Sequence, residues 1–441
     1  MVGLPPADMT EVAVVGGGLA GLVAARRLAD RGLDVALFER RSELGGRVRS
    51  REIEGFTLDR GFQVLFTAYP AVGRELDLEA LDLRTFRPGA TLCRPGERST
   101  LSDPLRDPKA LTATLFNREI SAGDKLRILS LRRDLAGKST EEIFSGPDAT
   151  IEAYLRDRNF SGRFRENFAA PFYGGITLDR SLSTSRAVFE YTFKMLAAGE
   201  TAVPAEGMGA IPAQLAARAR GAGVTMALET PVDAVTPQAD AGSGESGGLE
   251  GGVVVETPGE TVTADAAVVA TDPPTARDLT GVEAIPTAAR ACVTVHLAVP
   301  DTQELRSGPR LLLNAADARP NQVAPLSTVA PEYAPDGQQL LSATFLGEQE
   351  AADWALAEEV REALAAWFPE NQFADLELLA TDRIELAQFD QPPGFYEDLP
   401  AVDAPDGPLF LAGDYTQWSS IQGALESGRQ AAGAAAERVA D

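Results

Sequence analysis

Hydrophobic and polar positions near the start of the chain alternate in blocks that predict a strand, a helix and a second strand. The apolar run Val12–Val15 predicts a buried strand, and a stretch rich in small and apolar residues follows it with helical spacing. A second apolar run, Val35–Phe38, predicts another buried strand. Residues 11–48 are therefore predicted to form a βαβ unit.

A glycine-rich turn connects the first predicted strand to the helix. Gly16 permits a tight turn, Gly18 lets the backbone approach a pyrophosphate, and Gly21 lets the helix pack closely on the strand. The helix N-terminus offers N–H groups to that pyrophosphate, and Glu39 at the end of the second strand can accept hydrogen bonds from a ribose. A glycine turn in an ordinary βαβ unit is the alternative, but the complete context favours nucleotide binding.

Two later segments supply groups that suit a flavin. In Gly45–Arg47, paired glycines allow backbone close to a ligand, and the arginine can bring charge to a phosphate or a flavin edge. The apolar run 409–412 predicts a short strand that ends in Gly413–Asp414, and a small-residue helix is predicted to open at Gln422–Gly423. A carboxylate for ribityl hydroxyls and a helix N-terminus for the pyrimidine end of the flavin are thus both present.

These motifs and their order resemble the flavin amine oxidase and phytoene desaturase superfamily. Segments 55–63, 68–70, 204–212 and 413–416 are most similar to its phytoene desaturase branch. The resemblance implies an α/β fold, with a Rossmann-like FAD-binding domain of the glutathione-reductase type and a discontinuous α+β substrate domain. It also implies FAD as the cofactor.

The chain is long enough for two domains, and the pattern assigns segments to each. Residues 1–70, 200–285 and 395–441 are assigned to the FAD-binding domain, and residues 71–199 and 286–394 to the substrate domain. A helix is expected at 205–220, strands at 224–235, 253–270 and 292–299, and an exposed hairpin tip at 237–252. Residues 71–199 are expected to be mainly helical.

The motifs and the resemblance assign FAD contacts to one set of residues. These are Gly16, Gly18, Leu19, Ala20, Gly21, Glu39, Arg40, Gly45, Gly46, Arg47, Val232, Gly413, Asp414, Gln422, Gly423 and Ala424. No acid or base stands out as catalytic, and Gln63 and Tyr415 are candidates near the flavin ring because segments around them resemble ring-proximal segments of the superfamily.

Cysteine and histidine are scarce, which limits other chemistry. Cys93 and Cys292 are far apart, lack metal-ligand spacing and are expected to be buried free thiols. The only histidine, His296, is expected to be a polar residue on a strand, because a metal site or a serine triad would need partners that the sequence does not identify. None of the three lies in the C-terminal flavin motif, so FAD is expected to bind noncovalently and no metal is expected.

Three classes of function remain open. The resemblance implies a dehydrogenase or desaturase of an apolar, isoprenoid or carotenoid-like substrate, which passes a hydride to flavin N5. An amine oxidase or a protoporphyrinogen oxidase-like enzyme is the second class, but segment 289–299 lacks the lysine, and segment 418–421 the tyrosine, that amine oxidases usually have there. A non-catalytic flavoprotein is the third. Only one Gly-x-Gly-x-x-Gly has strand and helix context, so oxygen or a quinone is the expected electron acceptor.

The charge balance is strongly acidic. The formal net charge is −25, and the only lysines are Lys109, Lys125, Lys138 and Lys194. This balance disfavours a nucleic-acid partner, which requires clustered cations. It resembles the lysine-poor surfaces of proteins from salt-loving organisms, so folding or flavin retention is expected to weaken at low salt.

Residues 101–138 depart from this acidic background. They contain eight lysines and arginines against five acidic residues, interleaved with apolar positions. One hypothesis is a peripheral membrane contact that admits a lipid-like substrate, and the alternative, which we favour, is a pair of helices with a solvated basic face. No apolar run approaches the roughly 18 residues that span a bilayer, so a cytoplasmic protein is expected.

Overall fold

The computed structural model describes residues 10–102, 121–238 and 251–440, apart from residues 304, 306 and 372. The strands are β1 (Thr10–Val15), β2 (Val35–Phe38), β3 (Ser50–Ile53), β4 (Phe56–Asp59), β5 (Leu65–Phe66), β6 (Leu83–Thr85), β7 (Ala90–Arg94), β8 (Glu97–Leu101), β9 (Thr201–Pro204), β10 (Thr225–Ala227), β11 (Ala234–Pro237), β12 (Val253–Glu256), β13 (Thr261–Val269), β14 (Ala289–Pro300), β15 (Leu311–Asn314), β16 (Gln322–Pro325), β17 (Gln338–Leu346), β18 (Glu377–Phe389) and β19 (Leu409–Leu411).

The described helices are interspersed among the strands, with a long run of helices between β8 and β9. They are α1 (Leu19–Ala29), α2 (Pro70–Glu75), α3 (Ala122–Ala136), α4 (Thr140–Phe144), α5 (Ile151–Asp157), α6 (Gly162–Phe164), α7 (Ala170–Thr177), α8 (Arg186–Ala198), α9 (Ala210–Gly221), α10 (Pro273–Thr280), α11 (Leu326–Val329), α12 (Asp353–Trp367) and α13 (Ile421–Ala440). A π-helical turn, Arg165–Ala169, joins α6 to α7, and short 3₁₀ turns include Asp414–Thr416.

The first large sheet contains the predicted βαβ unit. Its strands run in the order β10-β2-β1-β13-β12-β11, and β19 also pairs with β13. The pairs β10–β2, β2–β1, β1–β13 and β13–β19 are parallel, which brings the carboxyl ends of β1, β2 and β19 to one edge. This arrangement confirms the predicted Rossmann-like fold.

Helix α1 is fixed to this sheet by close backbone packing. A Cβ atom on Gly21 would lie 2.0 Å from the Gly16 carbonyl oxygen, and one on Gly428 of α13 would lie 2.2 Å from the Ala20 carbonyl oxygen. Side chains at both positions are thereby excluded, and α1 packs directly against α13 as well as the sheet. Leu22 and Leu28 of α1 are fully buried, and each such side chain contributes about 1.5–3 kcal/mol of transfer free energy.

The second large sheet is mostly antiparallel, in the order β18-β14-β17-β16-β15-β7-β8. One face packs on α12 through a core that includes Val293, Val295 and Trp367. The expected strand 292–299 is confirmed within β14. The expectation that residues 71–199 are mainly helical is only partly correct, because β7 and β8 form a hairpin around Pro95–Gly96, a turn signal that the periodicity alone does not capture.

Strand membership shows how the two sheets are distributed along the chain. The first sheet takes strands from 10–38, 225–269 and 409–411, and the second from 90–101 and 289–389. The division into two domains at the expected boundaries remains a proposal.

Most of the expected hairpin tip at 237–252 and about half of the basic segment 101–138 lie outside the described residues. Among the described residues, no helix is both long and apolar enough to cross a membrane.

Candidate functional site

A cavity of about 1450 Å³ extends from the carboxyl edge of the first sheet to one face of the second. Its first end is lined by the glycine-rich turn and the C-terminal motif, and its other end by aromatic and aliphatic side chains. The cavity therefore joins a polar, backbone-rich compartment to an apolar one.

The glycine-rich turn forms the floor of the polar end. Gly16 has φ 110°, which favours glycine, and a Cβ atom there would lie 2.6 Å from the Ala270 carbonyl oxygen. Gly18 is the N-cap of α1 and has no side chain to hydrogen-bond the first-turn N–H groups. Leu19 and Ala20 of that first turn line the cavity. The turn thus presents backbone donors and the positive end of a helix dipole to the cavity.

Glu39 lies directly beneath this turn. Its carboxylate accepts a hydrogen bond of 2.7 Å from the Gly17 N–H and one of 3.0 Å from the Arg41 N–H. Only 7% of the residue is exposed, yet it lines the cavity. The two backbone donors fix the carboxylate and leave it lone pairs for further donors, which suits the two hydroxyls of a ribose.

The segment that follows Glu39 folds back over the turn. The Gly45 N–H donates to the Gly17 carbonyl at 2.8 Å, and both Gly45 and Gly46 line the cavity. Arg40 also lines it and lies 3.2 Å from the Asp272 carboxylate. Val232 and Ala424 are further lining residues, from separate parts of the chain. The structure therefore brings these predicted residues together around one compartment.

Arg47 and Asp414 form an ion pair where the polar end meets the apolar end. Arg47 Nη2 lies 2.6 Å from Asp414 Oδ1, and Ser419 Oγ donates to Asp414 Oδ2 at 2.9 Å. Burial by itself lowers the pKa of Arg47, but the Asp414 carboxylate outweighs it and holds that pKa above its ordinary value. Both side chains line the cavity, as does Gly413. The pair would hold a carboxylate oxygen ready for a polyol such as the ribityl chain.

The structure places three predicted residues of the C-terminal motif outside the cavity lining. Tyr415 does not line the cavity, because its ring turns behind Gly413 and its hydroxyl donates to the Val269 carbonyl at 3.2 Å. Gln422 and Gly423 are also outside the lining, and the Gln422 side chain accepts a hydrogen bond from the Ala71 N–H instead. Gly21 also has no cavity surface, and its close approach to Gly16 agrees with the helix packing predicted for it.

Gln63 does line the cavity, close to the ion pair. Its Nε2 donates to the Arg47 carbonyl at 2.9 Å and to the Arg60 carbonyl at 3.2 Å. Cys292 lines the cavity as well, and both cysteines are buried free thiols, as expected. Burial raises the pKa of Cys292 to about 11, which keeps the thiol protonated near neutral pH.

The apolar end contains a ladder of phenylalanines that the sequence analysis did not identify. Phe160, Phe164, Phe168 and Phe172 follow one another, with ring centroids 4.6, 5.5 and 5.2 Å apart. Together with Tyr173, Phe189 and Phe193 they line the chamber. Their spacing of four residues is a signal that was available in the sequence, since such positions share one face of a helix.

The glycine-rich turn with its underlying acid, set at the edge of a parallel sheet, defines a dinucleotide-binding protein of the flavoprotein class. The sequence matches the family described as flavin containing amine oxidoreductase over residues 19–436. The chain belongs to that family. FAD as the cofactor is thereby confirmed, and an FAD-dependent oxidoreductase is confirmed at the level of the family.

Individual relatives are more distant. A zeta-carotene-forming phytoene desaturase from Myxococcus xanthus is 28% identical over 278 residues, which cover 56% of this chain and 52% of the relative. The chain thus matches about half the length of that curated relative. An oxidoreductase from Methanosarcina mazei has a TM-score of 0.72 at 20% identity and covers 95% of this chain and 99% of its own. Cyclohexylamine oxidase from Brevibacterium oxydans has a TM-score of 0.71 at 18% identity and covers 98% of this chain and 100% of its own. These structures show a shared fold.

Proposed function

We propose that the protein is an FAD-dependent dehydrogenase or desaturase of a long apolar substrate of isoprenoid or carotenoid-like character. The observation that carries the proposal is the apolar chamber with its phenylalanine ladder, which is continuous with the polar end of the cavity. Flat aromatic rings provide a large apolar surface for an unsaturated chain without polar groups that would need partners. The similarity to a phytoene desaturase over half the chain supports the same class.

Each part of the cavity has a role in this reaction. Bound noncovalently, FAD would accept the hydride from the substrate. The α1 N-terminus and Glu39 would hold its pyrophosphate and ribose, and the Arg47–Asp414 pair its ribityl chain. The phenylalanine ladder would orient the substrate and exclude water from the reacting C–H bond. We further propose oxygen or a quinone as the electron acceptor.

Anaerobic reduction of the bound flavin by a substrate panel tests the proposal. Polyene precursors are expected to bleach the oxidised flavin band, whereas simple primary amines reduce it slowly or not at all. Rapid bleaching by an amine would overturn the ranking, and bleaching by a porphyrinogen would assign the protein to another branch of the family. A flavin reducible by dithionite but by no organic substrate would indicate a non-catalytic flavoprotein.

Although the sequence alone favours a solvated basic face for segment 101–138, we also propose that α3 contacts a membrane surface. Two leucines of this helix line the cavity while remaining exposed, Leu126 by 69% and Leu129 by 45%. They lie within the basic segment 101–138, so apolar and cationic groups coincide at the apolar chamber. The helix therefore offers a lipid-like substrate a route from the bilayer.

Flotation with vesicles tests this contact. The unmodified protein is expected to float with anionic vesicles, and a Leu126→Ser/Leu129→Ser variant to remain at the bottom of the gradient. Trp354→Ser is the matched control, since Trp354 is 73% exposed but does not line the cavity. If the unmodified protein floats with none of the lipid compositions tested, the contact is refuted.

A further inference from the structure

The only histidine of the chain joins three strands of the second sheet. His296 on β14 is fully buried, and its Nδ1 lies 2.9 Å from Ser342 Oγ on β17. Its Nε2 lies 3.1 Å from Asp382 Oδ2 on β18. These are the residue types of a hydrolase triad, but Ser342 is also fully buried, so its hydroxyl has no access to a substrate. Any effect of this buried cluster on the cavity must therefore pass through the strands that carry it.

The Asp382 carboxylate receives donors from three separate elements. Besides His296, Arg51 Nη1 on β3 donates to Asp382 Oδ1 at 2.7 Å, and the Gly61 N–H points to Oδ2 at 3.4 Å. Burial by itself raises the pKa of Asp382, but the hydrogen bonds from His296 and Arg51 outweigh it and lower that pKa to about 2. The carboxylate is therefore ionised and accepts only, which makes His296 Nε2 the donor.

Gly61 belongs to a stretch of cavity wall and contacts this cluster through its N–H. Gly61, Phe62 and Gln63 all line the cavity. A Cβ atom on Gly61 would lie 2.7 Å from Ile384 Cδ1, so the Gly61 backbone packs directly against β18. The Gln63 side chain in turn donates to the Arg47 carbonyl at 2.9 Å. A restraint on Gly61 is thereby passed to the arginine of the predicted ribityl site.

We propose that His296 is a positioning residue that holds Asp382 against the cavity wall Gly61–Gln63 through a single fixed donor, Nε2–H. Without that donor, the Asp382 side chain keeps only the Arg51 and Gly61 donors among the described residues, and its hold on the wall weakens. The role of this wall in flavin binding rests on the proposed function. The restraint itself is a property of the protein without cofactor, and it is tested there.

Amide hydrogen exchange of FAD-free protein measures the restraint. His296→Leu removes the donor and is expected to speed exchange across Gly61–Gln63 about tenfold or more, the effect of losing a hydrogen bond to a charged group. His296→Gln retains an N–H donor and is expected to restore most of the protection. Ser342→Ala is the matched control, because it removes the other ring contact and leaves Nε2 in place. In protein loaded with FAD, the rate of FAD dissociation is expected to be highest in His296→Leu, lower in His296→Gln and little changed in Ser342→Ala.

Two results would overturn the proposal. One is unchanged exchange at Gly61–Gln63 in folded His296→Leu, and the other is equal exchange in the Leu and Gln variants, which would make side-chain volume the cause. If His296→Leu does not fold, Asp382→Asn weakens the same contact from the acceptor side, because it removes the charge that His296 Nε2 faces. Unchanged exchange at Gly61 in that variant would also overturn the proposal. A protein that shows the exchange differences but oxidises no apolar substrate would refute only the proposed function.

Discussion

Substitution of Glu39 by alanine tests whether this carboxylate binds FAD. The carboxylate is 7% exposed and accepts the Gly17 and Arg41 N–H groups at 2.7 and 3.0 Å. A hydrogen bond to a charged group is worth about 1.5–3 kcal/mol, so losing one ribose contact raises the Kd for FAD at least about tenfold, and losing two raises it about a hundredfold or more. We therefore expect Glu39→Ala to be purified without its yellow cofactor.

The same substitution leaves two backbone donors without their acceptor. Each buried donor left unpaired costs about 1–3 kcal/mol, so the free energy of unfolding of FAD-free protein also falls. The two effects are measured separately. Urea unfolding of FAD-free protein gives the loss of folding stability, and FAD titration without urea gives the change in Kd. Glu39→Gln is the control, since it keeps one carbonyl acceptor while removing the charge and is expected to have an intermediate Kd.

The decisive comparison is the Kd for FAD in folded Glu39→Ala. An unchanged Kd would show that the carboxylate supports the loop without contacting the cofactor. Stoichiometric FAD after extensive dialysis would have the same meaning. A Kd that rises only in proportion to the loss of folding stability would show that the effect on binding is indirect.

Three further predictions address other parts of the molecule. Asp414→Ala is expected to lose FAD at least about tenfold more readily while remaining folded, and Asp414→Asn to lose less, as measured by flavin titration. Because the pKa of Asp382 is lowered from 3.8 to about 2, its contribution to stability is present above pH 3.8 and is lost as pH falls through about 2. Urea unfolding across that window should show a smaller acid-dependent loss in Asp382→Asn. With a net charge of −25, the melting temperature should rise from dilute to molar salt, where the Debye length is about 3 Å, and an unchanged value would reject the salt hypothesis.

The cofactor half of the fold could be predicted because its determinants are local. Gly16, Gly18 and Gly21 each act within a few residues of the turn, and the acid follows directly after the second strand. The two short apolar runs and the glycine-rich turn between them therefore predict both strands and their connection by a helix. The observed β1 and β2 contain the two predicted runs.

The substrate half could not be predicted in the same way, because its contacts are long-range. His296 meets partners 46 and 86 residues away in sequence, and no local pattern identifies either one. The turn Asp414–Thr416 directs the Tyr415 ring into the core, an orientation that the surrounding motif does not specify. The apolar chamber takes its walls from α3, α7 and α8 and from the second sheet, so its shape depends on tertiary packing.

The order of the strands has a consequence for how the protein is made. The first sheet is complete only when β19, at residues 409–411, pairs with β13, and α1 gains its neighbour α13 only after residue 421. Synthesis must therefore pass residue 421 before the glycine-rich turn acquires its final support. Tight FAD binding is therefore expected only after residue 421 has been made, and a shorter nascent chain, with these long-range contacts still unformed, is expected to be more open to chaperones and proteases.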